Sequence, residues 1–103
     1  MRDSFHILYW RDIPSMVKGK MGRKRLSHPL DNRFMEAIDA AAMRTGDTES
    51  DEYLEAWRSS DPIPFGDQPE QQLAEVAAQL EADYPRERLL ELMRNGGIEN
   101  GAA

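Results

Sequence analysis

The sequence, 103 residues long, contains no cysteine. That absence excludes disulfides, thiolate metal sites and a cysteine nucleophile together. It also means that stability does not depend on an oxidising compartment, which points to the cytoplasm. Histidine is nearly as scarce: His6 sits in an apolar run and His28 precedes a proline. No His-x-x-x-His spacing or cysteine cluster exists to supply the three or four ligands of a zinc site, so each histidine reads as a core or surface residue. Long apolar runs are missing too, and the stretches present fall well short of the roughly 20 residues that span a bilayer. Met1-Arg2-Asp3-Ser4-Phe5-His6 meets charge at once and lacks the apolar centre of a signal peptide. Gly19-Lys20-Met21-Gly22-Arg23-Lys24 keeps the glycines and positive charge of a phosphate loop but not its Gly-x-x-x-x-Gly-Lys-Ser/Thr order. These gaps assign no catalytic, cofactor-binding or metal-ligating residue and no membrane partner.

What is present suits one small globular domain. Three Phe, three Tyr and two Trp are too many aromatics for a chain that stays disordered, and the length provides for one core. The net charge of −6 hides an asymmetry: residues 1–30 balance to +5 and residues 31–103 to −11. A basic binding face on an acidic body explains this, and so does internal pairing of a basic hairpin with acidic helices. Acidic pairs such as Asp51/Glu52 and Glu87/Glu91 arise freely among nineteen carboxylates, and solvated helix faces account for them better than general acid–base chemistry does.

The pattern predicts an α+β fold, a small antiparallel sheet of about three strands packed against two or three helices. Phe5-His6-Ile7-Leu8-Tyr9-Trp10 is rich in β-formers and apolar on both faces, so it reads as a central strand covered on both sides. Arg11-Asp12-Ile13-Pro14 reads as a turn. A second strand follows over 15–20, with Met16, Lys18 and Lys20 alternating against Val17 and Gly19; Gly22 turns the chain into a third over 25–28. Asp31 is suited to cap a helix over 32–45 whose stripe is Phe34, Ile38, Ala41 and Ala42, with Leu30 stapling onto Met35 and Gly46 as the stop. Over 48–58, Thr48 with Asp51 resembles a capping box, whereas Tyr53-Leu54-Glu55-Ala56-Trp57-Arg58 alternates; a strand is preferred. Prolines and Gly66 make 59–69 a loop, anchored by Ile63 and Phe65. A helix over 70–83 carries Leu73, Val76, Ala77, Leu80 and Tyr84, and a shorter one over 86–94 carries Leu89, Leu90, Leu92 and Met93. Residues 1–94 form the domain, with 95–103 a flexible tail.

Three blocks in order, Tyr9-Trp10-Arg11-Asp12-Ile13-Pro14, Arg33-Phe34-Met35-Glu36-Ala37-Ile38-Asp39-Ala40-Ala41-Ala42-Met43-Arg44 and Tyr53-Leu54-Glu55-Ala56-Trp57-Arg58, resemble a small bacterial domain family labelled "virulence factor". That domain also ends a larger helical-repeat protein, conserved virulence factor C. The likeness spans about residues 5–82. It implies a bacterial cytosolic accessory protein and brings no reaction, cofactor or catalytic residue with it. Its place beside a scaffold-type domain fits binding better than turnover.

The candidate partner-binding surface joins the basic turn (Lys18, Lys20, Arg23, Lys24, Arg25) to a rim of Trp10, Arg11 and Trp57. Tryptophan and arginine are the commonest interface anchors, and the basic turn speeds encounter with an acidic face. Arg11 and Asp12 either fix the turn or present an arginine fork to an anion. The expected function is a non-catalytic adaptor for another protein. The alternative is a phosphate ligand or nucleic acid on the same turn, disfavoured by a sequence pI near 4.8 where nucleic-acid modules usually exceed about 9.

Overall fold

The computed structural model describes residues 3–46 and 51–98. Five strands and four helices alternate as β1 (Ser4–Trp10), β2 (Ile13–Met21), β3 (Lys24–Pro29), α1 (Asn32–Thr45), α2 (Asp51–Glu55), β4 (Trp57–Ser59), β5 (Ile63–Pro64), α3 (Pro69–Asp83) and α4 (Arg86–Arg94). The antiparallel sheet runs β3-β2-β1-β4, with β5 pairing the start of β1. The expected α+β class and the central position of β1 both hold, but β1 is not covered on both sides along its length: Phe5 and Trp10 are buried, while Ser4, His6 and Leu8 on the other face from Phe5 are only partly so.

The long elements form where residue pattern and capping agree. Asp31 accepts a hydrogen bond from the Arg33 amide, Gly46 closes α1 at φ 76°, and Phe34, Ile38, Ala41 and Ala42 between them are buried. Leu30 is buried as a staple should be, but Met35 stays 39% exposed, its Sδ accepting from the Ser15 hydroxyl at 3.7 Å. Leu73, Ala77 and Leu80 of α3 and Leu89 and Leu92 of α4 complete a single core with Phe5 and Val17. Helix α3 packs on β2 and β3, α1 on β2, and α4 on α1.

Four expectations change. Ile13 and Pro14 belong to β2, not to a turn, and the turn is Arg11–Asp12 alone. Pro14 has no N–H for the ladder and is tolerated because the register shifts beside it: Leu8 pairs Met16 and Tyr9 pairs Pro14, which leaves Ser15 as the extra residue of a bulge. The preferred strand over 48–58 is instead the five-residue α2 followed by the three-residue β4; Thr48 lies outside the described residues. Ile63 is exposed and pairs with Phe5 through its backbone, so Phe65, whose ring centroid is 5.2 Å from that of Phe5, is the one residue of the loop pair that anchors it.

The fourth change concerns residues 95–97. Gly96 and Gly97 are buried, the Gly97 carbonyl accepts the Asp12 amide at 2.9 Å, and the Gly96 carbonyl accepts the Arg11 guanidinium at 2.7 Å. This turn is docked on the end of β1 and is not part of a tail.

Candidate partner-binding face

Antiparallel pairing sorts the basic run by parity. Side chains directly opposite one another lie on the same face of a sheet, and neighbours along a strand lie on opposite faces. Ser4 pairs Lys20, which pairs Arg25 on β3; His6 pairs Lys18, which pairs Ser27; Leu8 pairs Met16. Three cross-strand rows therefore share one face. The other parity places Phe5 opposite Gly19 and Ile7 opposite Val17, and these carry the core and the helices. On the first face Lys18, Lys20, Arg25 and Ser27 are exposed, and Ser4 and His6 are half-exposed. They surround a shallow depression of about 570 Å³.

The remaining two cations of the run go elsewhere. Lys24 has the opposite parity to Arg25, and its ammonium pairs with Glu70 in the first turn of α3 at 3.0 Å. Arg23 sits in the Gly22–Arg23 turn; Gly22 takes φ 58°, and its amide donates to the Asp3 carboxylate at 2.8 Å. No carboxylate among the described residues lies within 4 Å of Lys18, Lys20 or Arg25. Internal pairing thus accounts for Lys24, while Lys18, Lys20 and Arg25 form a compact group of cations that faces outwards.

Lys20 directly opposite Arg25 is a like-charge cross-strand pair, an arrangement that destabilises a sheet. Its cost is unrelieved within the described chain, so an anion on this face would be drawn to two cations at once.

The other half of the expected surface is a structural latch. Trp10 is completely buried: its indole N–H donates to the Tyr53 carbonyl at 3.1 Å, and Tyr53 and Gly97 pack on the ring. It cannot anchor a partner from that position. Arg11 stacks on the Trp10 ring at 4.6 Å while bonding Gly96, and its carbonyl accepts Arg58 Nε at 2.9 Å. Arg58 also reaches Asp12 at 3.3 Å. Of the two readings of Arg11 and Asp12, the turn-fixing one describes these contacts. Trp57 is half-buried, opposite Trp10 and edge-on to Tyr53 at 6.2 Å. Ser4 and Trp10 stand at opposite ends of β1, roughly 20 Å apart at strand rise. The basic residues and the tryptophan rim are therefore two places, not one surface. Ser4, His6 and Ser27 join the basic group by register, a signal that alternation hinted at and only the pairing completes.

Among the described residues no group of three or more His, Asp or Glu is placed to hold a metal, and no helix is long and apolar enough to cross a membrane.

Fold and face together define a small α+β domain whose antiparallel sheet leaves an open, basic patch on one face at the Ser4 end of β1. The family model described as "Virulence factor" matches residues 8–93, and the chain belongs to that family. The match runs into α4 as far as Met93, one residue short of the helix end and further than the resemblance over about 5–82 suggested, and it stops before the Gly96–Gly97 turn. Neither curated proteins nor solved structures yield a match.

Proposed function

We propose that this virulence-factor-family domain is a non-catalytic, cytoplasmic accessory protein that binds an acidic segment of another protein on its open sheet face. The observation that carries the reading is the outward group of Lys18, Lys20 and Arg25, with Lys20 and Arg25 directly opposed and no described carboxylate beside them. Residues 31–103 balance to −11, so a long polyanion extending beyond the patch is repelled by the acidic remainder of the domain, whereas a short acidic segment is not. Proteins that hold single-stranded nucleic acid stack bases on aromatic side chains. The open rows offer only His6 as a ring, while Phe5 and Trp10 are buried.

Capture from bacterial lysate tests this, with the wild-type domain and a Lys18→Glu/Lys20→Glu/Arg25→Glu variant as baits, before and after nuclease treatment. A defined protein held by the wild type, insensitive to nuclease and lost from the variant, is the expected result. Retention of nucleic acid alone, or equal retention by both baits, contradicts the proposal. Turnover of phosphatase, esterase or nuclease substrates by the purified domain would contradict its non-catalytic part.

A further inference from the structure

We infer that the anion this face takes is a phosphorylated side chain of the partner, held by the Ser4–Lys20–Arg25 row. The inference rests on the reading above and names its ligand chemistry. Lys20 and Arg25 project from neighbouring strands about 4.8 Å apart, so both cationic heads converge on one group of phosphate size. A carboxylate brings one charge and two oxygens; a phosphate monoester brings about −1.5 to −2 and three acceptor oxygens. The row supplies a matching set: the planar fork of Arg25, which grips two oxygens at once, the ammonium of Lys20, and the half-exposed hydroxyl of Ser4 on the far side of Lys20. One carboxylate leaves the Lys20–Arg25 repulsion half-compensated, and a dianion removes it.

The neighbouring rows set the sequence around that group. His6, Lys18 and Ser27 form the next row, two residues further along the strands, or roughly 7 Å. Leu8 and Met16, both half-buried, form the row beyond. An extended peptide running along the strands repeats at the same rise. It places an acidic residue two positions from the phosphorylated one at Lys18, and an apolar residue four positions away at Leu8 and Met16.

A degenerate peptide library tests this without knowledge of the partner. Three forms share random flanks and differ at a fixed central position: phosphorylated (an equal mixture of phosphoserine, phosphothreonine and phosphotyrosine), Glu, or Ser. The immobilised full-length domain should retain the phosphorylated form at least about tenfold over the Glu form, as expected from the added charge and acceptors. Sequencing should show Asp or Glu enriched two positions away. Lys20→Ser and Arg25→Ser should each lower phosphorylated retention to the level of the Glu form. Arg25→Lys, which keeps the charge but not the fork, should fall between. Circular dichroism confirms that each variant is folded, and amide shifts at Ser4, Lys20 and Arg25 locate the contact. Equal retention of the phosphorylated and Glu forms overturns the phosphate assignment while leaving acidic-segment binding intact. Retention of no form overturns it as well, and the lysate capture then decides the wider reading separately. Tighter binding of a single-stranded oligonucleotide than of the phosphorylated library overturns it in favour of nucleic acid.

Discussion

Gly97 lies so close to Trp10 that a Cβ built on it would come within 2.6 Å of indole Cζ3, and its φ of 91° is one that other residues rarely adopt. The contact joins a turn beyond the family match to the largest fully buried side chain of the core. It explains why Gly96 and Gly97 are not a tail: their carbonyls take the Arg11 guanidinium and the Asp12 amide, and the missing side chain makes room for the ring.

Gly97→Ala should therefore be costly. Positive φ on a residue with a Cβ costs about 1–2 kcal/mol, and overpacking against a buried ring adds about 1–3 kcal/mol. Thermal denaturation should show a midpoint lower by roughly 10 °C or more for a domain of this size. Gly46→Ala is the control: φ there is 76° but nothing lies within 4 Å of the new Cβ, so only the conformational part of the cost, about 1–2 kcal/mol, should remain. Equal losses at the two positions would show that the Trp10 contact does not matter.

The end of β1 that Gly97 covers is also where sequence and structure part company. The helices were legible because α1, α3 and α4 each repeat apolar residues at helical spacing between recognisable ends, Asp31 and Gly46 for α1 and Pro85 for the gap between α3 and α4. Residues 53–58 were not, because the same six residues carry an alternating pattern that the fold cuts in two. Tyr53 belongs to a helix too short to display a period, fixed by its carbonyl's bond to Trp10. Trp57 begins a strand fixed by pairing with β1. The basic run was legible as a concentration of positive charge, and the alternation of Met16, Lys18 and Lys20 already separated them from Val17. Which cations of β2 and β3 stand together depended on register. That register put Arg25 beside Lys20 and sent Lys24 to Glu70. Trp10 looked like an interface anchor because tryptophan often is one; its burial follows from the docking of α2 and the 96–97 turn, contacts made over more than 40 residues of chain.

Arg11 is the one described residue other than glycine with positive φ, at 53°. Both Arg11→Ala and Arg11→Gly lose the stacking on Trp10 and the bond to Gly96. Only the glycine variant relieves the backbone. In urea denaturation Arg11→Gly should be more stable than Arg11→Ala by about 1 kcal/mol, the reverse of the order usual inside strands and helices. If alanine proves equal or better, the left-handed turn is not a strained feature of the native fold.

Neighbouring cations of the hairpin should respond to charge reversal with opposite signs. Arg25→Glu converts the like-charged pair with Lys20 into an attractive one, and cross-strand charge pairs change stability by about 0.2–1 kcal/mol in either direction. The variant should gain about 0.5–1 kcal/mol in urea denaturation at low salt, and the gain should shrink in 1 M salt, where the screening length falls to about 3 Å. Lys24→Glu should instead lose up to about 1 kcal/mol, because its partner is the exposed Glu70 carboxylate and the reversal replaces attraction by repulsion. The same Arg25→Glu variant should bind neither an acidic protein segment nor the phosphorylated library. Greater stability together with lost binding is the signature of a site that keeps an unfavourable arrangement for its ligand. A destabilised Arg25→Glu would mean that Lys20 and Arg25 are already neutralised in the folded chain, and the open face would lose its claim to be the binding site.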